Sequence, residues 1–302
     1  MRVLVTGARG FIGSALVPAL EAAGHTVRGL GRVARPAGDW RRADLTVPAS
    51  LAGVCDSCEA VVHLAGIAHT RAAGPDHDLV TVAGTRALLA EARAAGVGQF
   101  VFVSSIKAEC AQDEYAQSRR AAEDMVRASG LAAVAIVRPA LVYGPGMRGN
   151  LGRLLRMAGL PWALPVPRGT ARRSLVHRDD LVRVLVALLP LRGPAVTYTV
   201  TDGAPYTVRD IYDLMRAGLG RPPGRRALPE GLLRQVARFG DRVTRWTGRP
   251  CPWNAQALAP LLESCVSEDR RVWTDLGMVP RHSLASVIAD AGVAPRAHGG
   301  SG

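Results

Sequence analysis

Seven residues near the N-terminus narrow the choice of folds sharply: Gly7-Ala8-Arg9-Gly10-Phe11-Ile12-Gly13, placed between the apolar run Val3-Leu4-Val5 and an alanine- and leucine-rich stretch. Glycines at three-residue intervals between a strand and a helix permit a tight turn, close backbone approach to a ligand, and close helix-to-strand packing. The helix N-terminus then presents unpaired N–H groups to an anion. The spacing is GxxGxxG, and in this strand-turn-helix setting it points to a dinucleotide pyrophosphate. Gly7, Gly10 and Gly13, with Arg9, Phe11 and Ile12 of the same loop, are the first candidate cofactor-binding residues.

The first half continues as an alternation of β-branched runs and alanine-rich helical stretches. The pattern predicts strands over 2–5, 26–30, 60–64, 100–103 and 134–138, and helices over 12–23, 80–95 and 115–128. Such alternation reads as an α/β fold, a doubly wound parallel sheet with helices on both faces and ligands at the carboxyl ends of the strands. From Gly144 onward the texture becomes Pro/Gly-punctuated, and a helix near 179–189 and a strand at 197–201 then return to the sheet. The predicted organisation is a dinucleotide-binding domain over 1–145, rejoined by 173–202, and a smaller interleaved substrate domain over 146–172 and 203–292. Residues 293–302 read as a frayed tail. In the second half, residues 230–246 form one notable amphipathic helix. Its Leu232, Leu233, Val236, Phe239, Val243 and Trp246 suit an apolar face docked on a core, and Arg234, Arg238 and Arg242 a basic one. A weaker reading of that helix is contact with an anionic membrane surface.

Composition removes several classes. The 302 residues carry a net charge of +13, with 48% apolar and 21% charged residues, a globular balance rather than a disordered one. No apolar run approaches the roughly 20 residues of a membrane-spanning helix. The N-terminus lacks a basic-then-apolar leader, so the expected location is cytoplasmic. The arginine surplus is scattered and no recognition motif accompanies it, which argues against nucleic acid and leaves an anionic small substrate compatible. Five cysteines, an odd number, argue against a disulfide framework, and the lone Cys55-Asp56-Ser57-Cys58 lacks the second pair a zinc site wants. No metal-ligand spacing is present.

In folds of this kind an acidic residue some 20 positions beyond the glycines commonly binds the adenosine ribose. Here Val27-Arg28-Gly29-Leu30-Gly31-Arg32 puts glycine there, followed by arginine. A guanidinium suits a 2′-phosphate that a carboxylate would repel, which favours NADP(H) over NAD(H), with Arg32 and Arg9 at the phosphate. Asp44 and Leu45 are placed to meet the adenine edge.

Together with the glycine loop, His63-Leu64-Ala65-Gly66, Val103-Ser104-Ser105, Tyr115 and Arg138-Pro139-Ala140-Leu141-Val142-Tyr143-Gly144-Pro145 make the chain resemble an extended short-chain dehydrogenase/reductase of the NAD-dependent epimerase/dehydratase type. Ser104-Ser105-Ile106-Lys107, the segment from Gly149 to Leu155, and Arg172-Arg173-Ser174-Leu175-Val176 resemble bacterial nucleotide-sugar 4-ketoreductases of the UDP-N-acetylquinovosamine type. The resemblance implies that Leu64, Ala65, Gly66, Ser104, Pro139 and Val142 line the cofactor. It implies that Lys107, Asn150 and Arg173 meet the substrate, Arg173 at the sugar-nucleotide pyrophosphate. It also implies that Ser105 and Tyr115 bond the reacting oxygen and that position 119 carries a cation beside the tyrosine. His63 and His177 lie in apolar stretches and read as packed, hydrogen-bonded histidines.

The family's YxxxK lysine is here arginine, Tyr115-Ala116-Gln117-Ser118-Arg119. Four residues apart on a helix, Tyr115 and Arg119 share a face. A phenol with an ordinary pKa of about 10 is a poor acid near neutrality, and a fixed cation would lower it. Arginine keeps the charge but not the proton-relay capacity of a neutral lysine. The expected function is reduction of a nucleotide-diphosphate-4-keto-6-deoxyhexose by NADPH. A 4-epimerase or dehydratase is the first alternative and a non-catalytic NADP(H)-binding regulator the next. Relatives that dimerise through a four-helix bundle would use the helices at 80–95 and 115–128, which makes a homodimer compatible.

Overall fold

The computed structural model describes residues 1–33, 38–66, 78–147, 149–167, 169–224, 227–248, 251, 254–255, 258 and 263–287; the tail predicted at 293–302 lies outside them. By contact density the chain forms two units. The first comprises Met1–Gly144, Val176–Thr201 and Ser267–Arg281, the second Pro145–Leu175, Asp202–Val266 and His282–Gly302.

Seven parallel strands organise the first unit: β1 (Arg2–Thr6), β2 (Thr26–Gly31), β3 (Asp39–Arg42), β4 (Ala60–His63), β5 (Gln99–Val103), β6 (Val134–Pro139) and β10 (Val196–Val200). Their spatial order is β3-β2-β1-β4-β5-β6-β10, so the chain works outward from β1 to one edge, returns, and continues to the other. Register aligns Thr6 with His63 and His63 with Phe102, which brings the ends of the three central strands to one line. The loops that leave those ends carry the sequence motifs.

Central strands are apolar on both faces because helices cover both. Leu4, Val61, Phe100, Phe102 and Ile136 pack with Leu88, Leu89 and Ala92 of α2 (Gly84–Ala94) and with Ala122 and Val126 of α4 (Glu114–Arg127). Helices α1 (Gly13–Ala22) and α6 (Arg178–Leu188) contact each other within the same unit. A short helix, α3 (Lys107–Cys110), follows β5.

Strand β3 is absent from the apolar pattern. It is an edge strand, Asp-Trp-Arg-Arg, held by a hydrogen bond from Arg28 Nε to Asp39 (3.0 Å) and by Trp40 lying against Gly29, where a Cβ would come within 2.7 Å of the indole. Residues 267–281, which the texture assigns to the second domain, cluster with the first. There α9 (Arg271–Asp275) is fixed by Trp273 Nε1 donating to Thr201 O (3.1 Å) and Tyr198 donating to Asp275 (2.9 Å).

Further elements are β7 (Leu141–Tyr143) and, further along, α5 (Gly149–Ala158), β8 (Val166–Pro167), β9 (Arg172–His177), β11 (Pro205–Thr207), α7 (Val208–Gly218), β12 (Ala227–Leu228) and α8 (Glu230–Thr247). Helix α8 therefore stands beside α5 and α7 in the second unit rather than being its one notable helix. Its inward residues are Leu233, Ala237 and Gly240; Leu232, Phe239 and Trp246, expected on the docked face, are exposed instead. Helix α7 opens on a capping box between Thr207 and Asp210. Its Arg216 is 1% exposed and donates to the carbonyls of Pro222, Ala158, Leu160 and Trp162 at 2.6, 3.1, 3.1 and 3.5 Å.

Cys55 and Cys58 are buried free thiols, and burial first, then the neighbouring Cys58, pushes Cys55 up to about 12. Among the described residues no helix is long and apolar enough to cross a membrane.

Candidate functional site

The glycine loop bridges β1 and α1. Gly7 takes a left-handed φ of +67°, and a Cβ there would stand 3.0 Å from the Ala65 backbone nitrogen. A Cβ on Gly13 would collide with the Gly7 carbonyl and with Ala8, so this glycine is what lets α1 begin against the strand. Gly10 N–H donates to Gly7 O (2.8 Å), closing the turn. The first turn of α1 has neither a side-chain cap nor an acidic residue, while Arg9 is exposed beside it. A bare loop ending on an uncapped helix N-terminus fits a pyrophosphate.

At the ends of β2 and β3 lie the groups expected at the adenosine. Arg32 is exposed. Hydrogen bonds from the N–H and hydroxyl of Thr46 (both 2.9 Å) hold the Asp44 carboxyl below its usual range, assisted by the Arg32 charge. Leu45 is buried, packed where a Cβ on Gly84 would meet its own Cβ at 2.8 Å.

The next strand end forms a second wall. Thr6 Oγ1 pairs with His63 Nδ1 (2.6 Å) and accepts from Ala65 N–H (3.1 Å), and His63 Nε2 pairs with Thr85 (3.0 Å). Burial, with Arg119 nearby, pushes His63 down to about 3, so it is a neutral structural pin for the Leu64-Ala65-Gly66 loop. His177 is likewise buried, capping α6 by accepting from Asp179 N–H (3.3 Å) and meeting the Tyr143 ring edge-on at 5.2 Å.

Arg119 is the centre of the arrangement. It is 4% exposed, its guanidinium lies 5.1 Å from the Tyr115 ring centroid and 6.0 Å from that of Phe102, and Nη1 donates to Val103 O (3.2 Å). Its Nε has no hydrogen-bond partner among the described residues. The same guanidinium fills the space a Cβ on Gly66 would need. A buried cation with spare donors is expensive unless a ligand completes it, and ribose hydroxyls suit those donors.

Tyr115 opens the helix that holds Arg119. Asp113 caps that helix through Ala116 N–H (2.9 Å) and also accepts from Lys107 Nζ (2.8 Å), whose ammonium lies 5.9 Å from the Tyr115 centroid. The phenol ring therefore sits beside two cations. Ser105 Oγ accepts from Lys107 N–H (3.3 Å), which leaves its own hydrogen free to donate. Lys107, read as a substrate contact, is thus tied to the N-cap of the tyrosine helix, a role that Asp113 reveals.

A buried carboxylate that sequence reasoning passed over supports this edge. Glu123 accepts from Ser104 Oγ (2.7 Å), Arg138 Nε and Nη2 (2.9 and 2.6 Å) and Arg127 Nη2 (3.0 Å). Burial alone would raise Glu123; those hydrogen bonds outweigh it and hold the carboxyl below its usual value. Ser104, expected at the cofactor, spends its hydroxyl on this anchor. Pro139 is buried and its carbonyl accepts from Ile106 N–H (3.0 Å); Val142 is half-buried on β7.

Asn150 and Arg173 belong to the second unit. Asn150 is exposed on the first turn of α5. Arg173 lies on β9, paired with Tyr206 of β11; its Nη2 donates weakly to Glu263 O (3.4 Å), and its Nε is buried with no partner among the described residues. Burial lowers its pKa, the signature of a desolvated cation. No group of three or more His, Cys, Asp or Glu side chains that could hold a metal stands among the described residues.

Comparison with known proteins bears on family and fold. Residues 3–199 match the family described as "NAD dependent epimerase/dehydratase family". The chain is 38% identical over 259 residues to a ceramide reductase of Caulobacter vibrioides, covering 82% of this chain and 80% of that one. It is 27% identical to a UDP-glucose 4-epimerase of Vibrio cholerae over 82% of this chain and 85% of that one. Among solved structures, MoeE5 in complex with UDP-glucuronic acid and NAD superposes with a TM-score of 0.74 at 25% identity, covering 96% of this chain and 97% of the other. A chain with this sheet, this glycine loop and this tyrosine helix belongs to the NAD dependent epimerase/dehydratase family and is a nicotinamide-dependent oxidoreductase or epimerase of the extended short-chain dehydrogenase/reductase type.

Proposed function

We propose that the chain reduces a ketone with NADPH, acting on a substrate that carries an anionic group. The observation that carries this reading is Arg119, a buried guanidinium with unspent donors beside Tyr115 at the position of the family lysine. Tyr115 gives its proton to the developing alkoxide. Ser105, already accepting from Lys107 N–H, donates to the same oxygen, and Arg119 supplies a fixed positive charge that needs no reorganisation as charge develops. A bound nicotinamide supplies the hydride. Gly7, Gly10, Gly13 and the α1 N-terminus would hold its pyrophosphate, and Arg32 with Arg9 the 2′-phosphate that distinguishes NADPH.

The half-buried Arg173, whose Nε is buried without a partner among the described residues, supports a diphosphate on the substrate, which makes a nucleotide-diphosphate-4-keto-6-deoxyhexose the first form of it. A second reading has its own support: the 38% identity with a ceramide reductase favours a long-chain ketone of the ceramide type. One experiment separates them. NADPH and NADH consumption is followed with dTDP- and UDP-4-keto-6-deoxyhexoses and with a keto-ceramide in micelles, for the native chain and for Tyr115→Phe. NADPH-selective turnover of a sugar, lost in the variant, is expected. Turnover of the keto-lipid alone replaces the first substrate with the second, and indifference of either turnover to Tyr115→Phe removes the assigned chemistry.

A further inference from the structure

Helix α8 displays an apolar stripe on its outer side. Leu232, Phe239 and Trp246 are 47%, 67% and 89% exposed and recur every seven residues, which on an α-helix drifts by only about 20° per repeat. Half-buried Val236 and Val243 border the stripe on the side that leads to the inward residues. From Leu232 to Trp246 it runs for roughly 21 Å at 1.5 Å per residue. Its other border is basic: Arg238, Arg242 and Arg245 are all exposed. Asp241 is turned away from that border, accepting from Ala255 N–H (3.0 Å). Large aromatic side chains left open beside a row of guanidinium groups do not serve a water-facing helix, which would carry polar residues on that face.

We infer that α8 docks this chain on an anionic phospholipid bilayer, lying in the interface with Phe239 and Trp246 among the acyl-chain boundary and Arg238, Arg242 and Arg245 at the headgroup phosphates. Two features select a lipid surface over a protein groove. The apolar stripe and the basic row run side by side along one helix, the arrangement that suits a planar boundary between hydrocarbon and anionic headgroups. Tryptophan at the end of the stripe has the amphipathic ring that partitions to that boundary. The net charge of +13 adds long-range attraction to an anionic surface. This inference does not depend on which ketone is the substrate.

The test is co-sedimentation of the full chain with phosphatidylcholine vesicles and with 3:1 phosphatidylcholine–phosphatidylglycerol vesicles, roughly. Binding to the anionic vesicles alone, weakened by salt, is expected. A bound basic residue contributes roughly fivefold in partitioning, so R238Q/R242Q/R245Q should bind on the order of 100-fold more weakly. F239S/W246S should lose binding as well, with circular dichroism unchanged. A readout without those variants is quenching of native tryptophan fluorescence by brominated lipid, reduced in Trp246→Phe. Absence of native binding, or binding equal in both multiple variants, overturns the proposal. So does a native dimer in sedimentation velocity that F239S/W246S converts to monomer, since the stripe would then be covered by a second copy of this chain.

Discussion

Two buried arginines, one in each unit, lead opposite lives. Arg216 in α7 directs its donors at four backbone carbonyls and lays its guanidinium 5.9 Å from the Tyr212 ring centroid. Arg119 in α4 is nearly as buried, yet bonds one carbonyl and leaves Nε without a partner among the described residues. Arg216 is a structural rivet: it replaces water for the carbonyls at the end of α5 and its following turn and for that of Pro222, beyond α7. Arg119 is held in place by Gly66, Tyr115 and Phe102 without being saturated. Counting a buried cation's spent donors therefore separates scaffold from site where burial alone does not.

The sharpest way to break that contrast is Arg216→Met. It strands four carbonyls and should destabilise the chain by about 3–5 kcal/mol, read as a fall in denaturation midpoint. Equal stability in the variant would make Arg216 no rivet at all. Arg119→Met should do the reverse: a melting temperature unchanged or raised without coenzyme, a smaller stabilisation by added NADPH, and a loss of roughly 10²-fold in kcat. A large drop in intrinsic stability would place Arg119 with Arg216. Gly66→Ala, which pushes the guanidinium aside, should lower kcat by about tenfold in the native background and hardly at all in Arg119→Met, because the two changes act on one contact. Additive losses would show that Gly66 serves something other than Arg119.

The smallest effect concerns the histidine beneath that arginine. His63 is neutral in the fold, pushed down to about 3, whereas the unfolded histidine titrates near 6.5. Between those values the unfolded chain binds the extra proton, so stability is fully present above pH 6.5 and is lost as pH falls toward 3, at roughly 1 kcal/mol per pH unit. Denaturation midpoints from pH 7 to pH 4 should show that slope, and His63→Gln should flatten it. Parallel slopes would mean that His63 does not remain neutral.

Elements built on apolar periodicity were legible in the residues themselves. Strands β1, β4, β5 and β6 are buried through most of their length, and the 3.6-residue spacing that puts Tyr115 and Arg119 on one face is realised in α4. Strand β3 escaped because an edge strand with Arg41 and Arg42 in water carries no alternation, and only Trp40 against Gly29 betrays it. Helix α7 was readable from Thr207 and Asp210, yet the Pro/Gly texture around it masked the capping box. Residues whose work is done at long range left no local signal. Glu123 gathers Ser104 and Arg138 from 19 and 15 positions away, and Arg216 reaches carbonyls as many as 58 residues distant. Sequence spacing reports which side chains share a face, not which carbonyls a fold leaves unpaired.

The Cys55–Cys58 turn lies just ahead of β4, the strand whose far end carries the His63 pin and the Leu64-Ala65-Gly66 wall. With both sulfurs sealed in the core and the Cys55 thiol far from ionising, an alkylating reagent can mark them only when that part of the sheet opens. Each adduct on Cys55 or Cys58, told by peptide mass from one on the half-buried free thiol of Cys251, is thus a time stamp of one opening event. Whether a bound coenzyme slows the marking tells how far the grip of a ligand at one end of a strand is felt at the other.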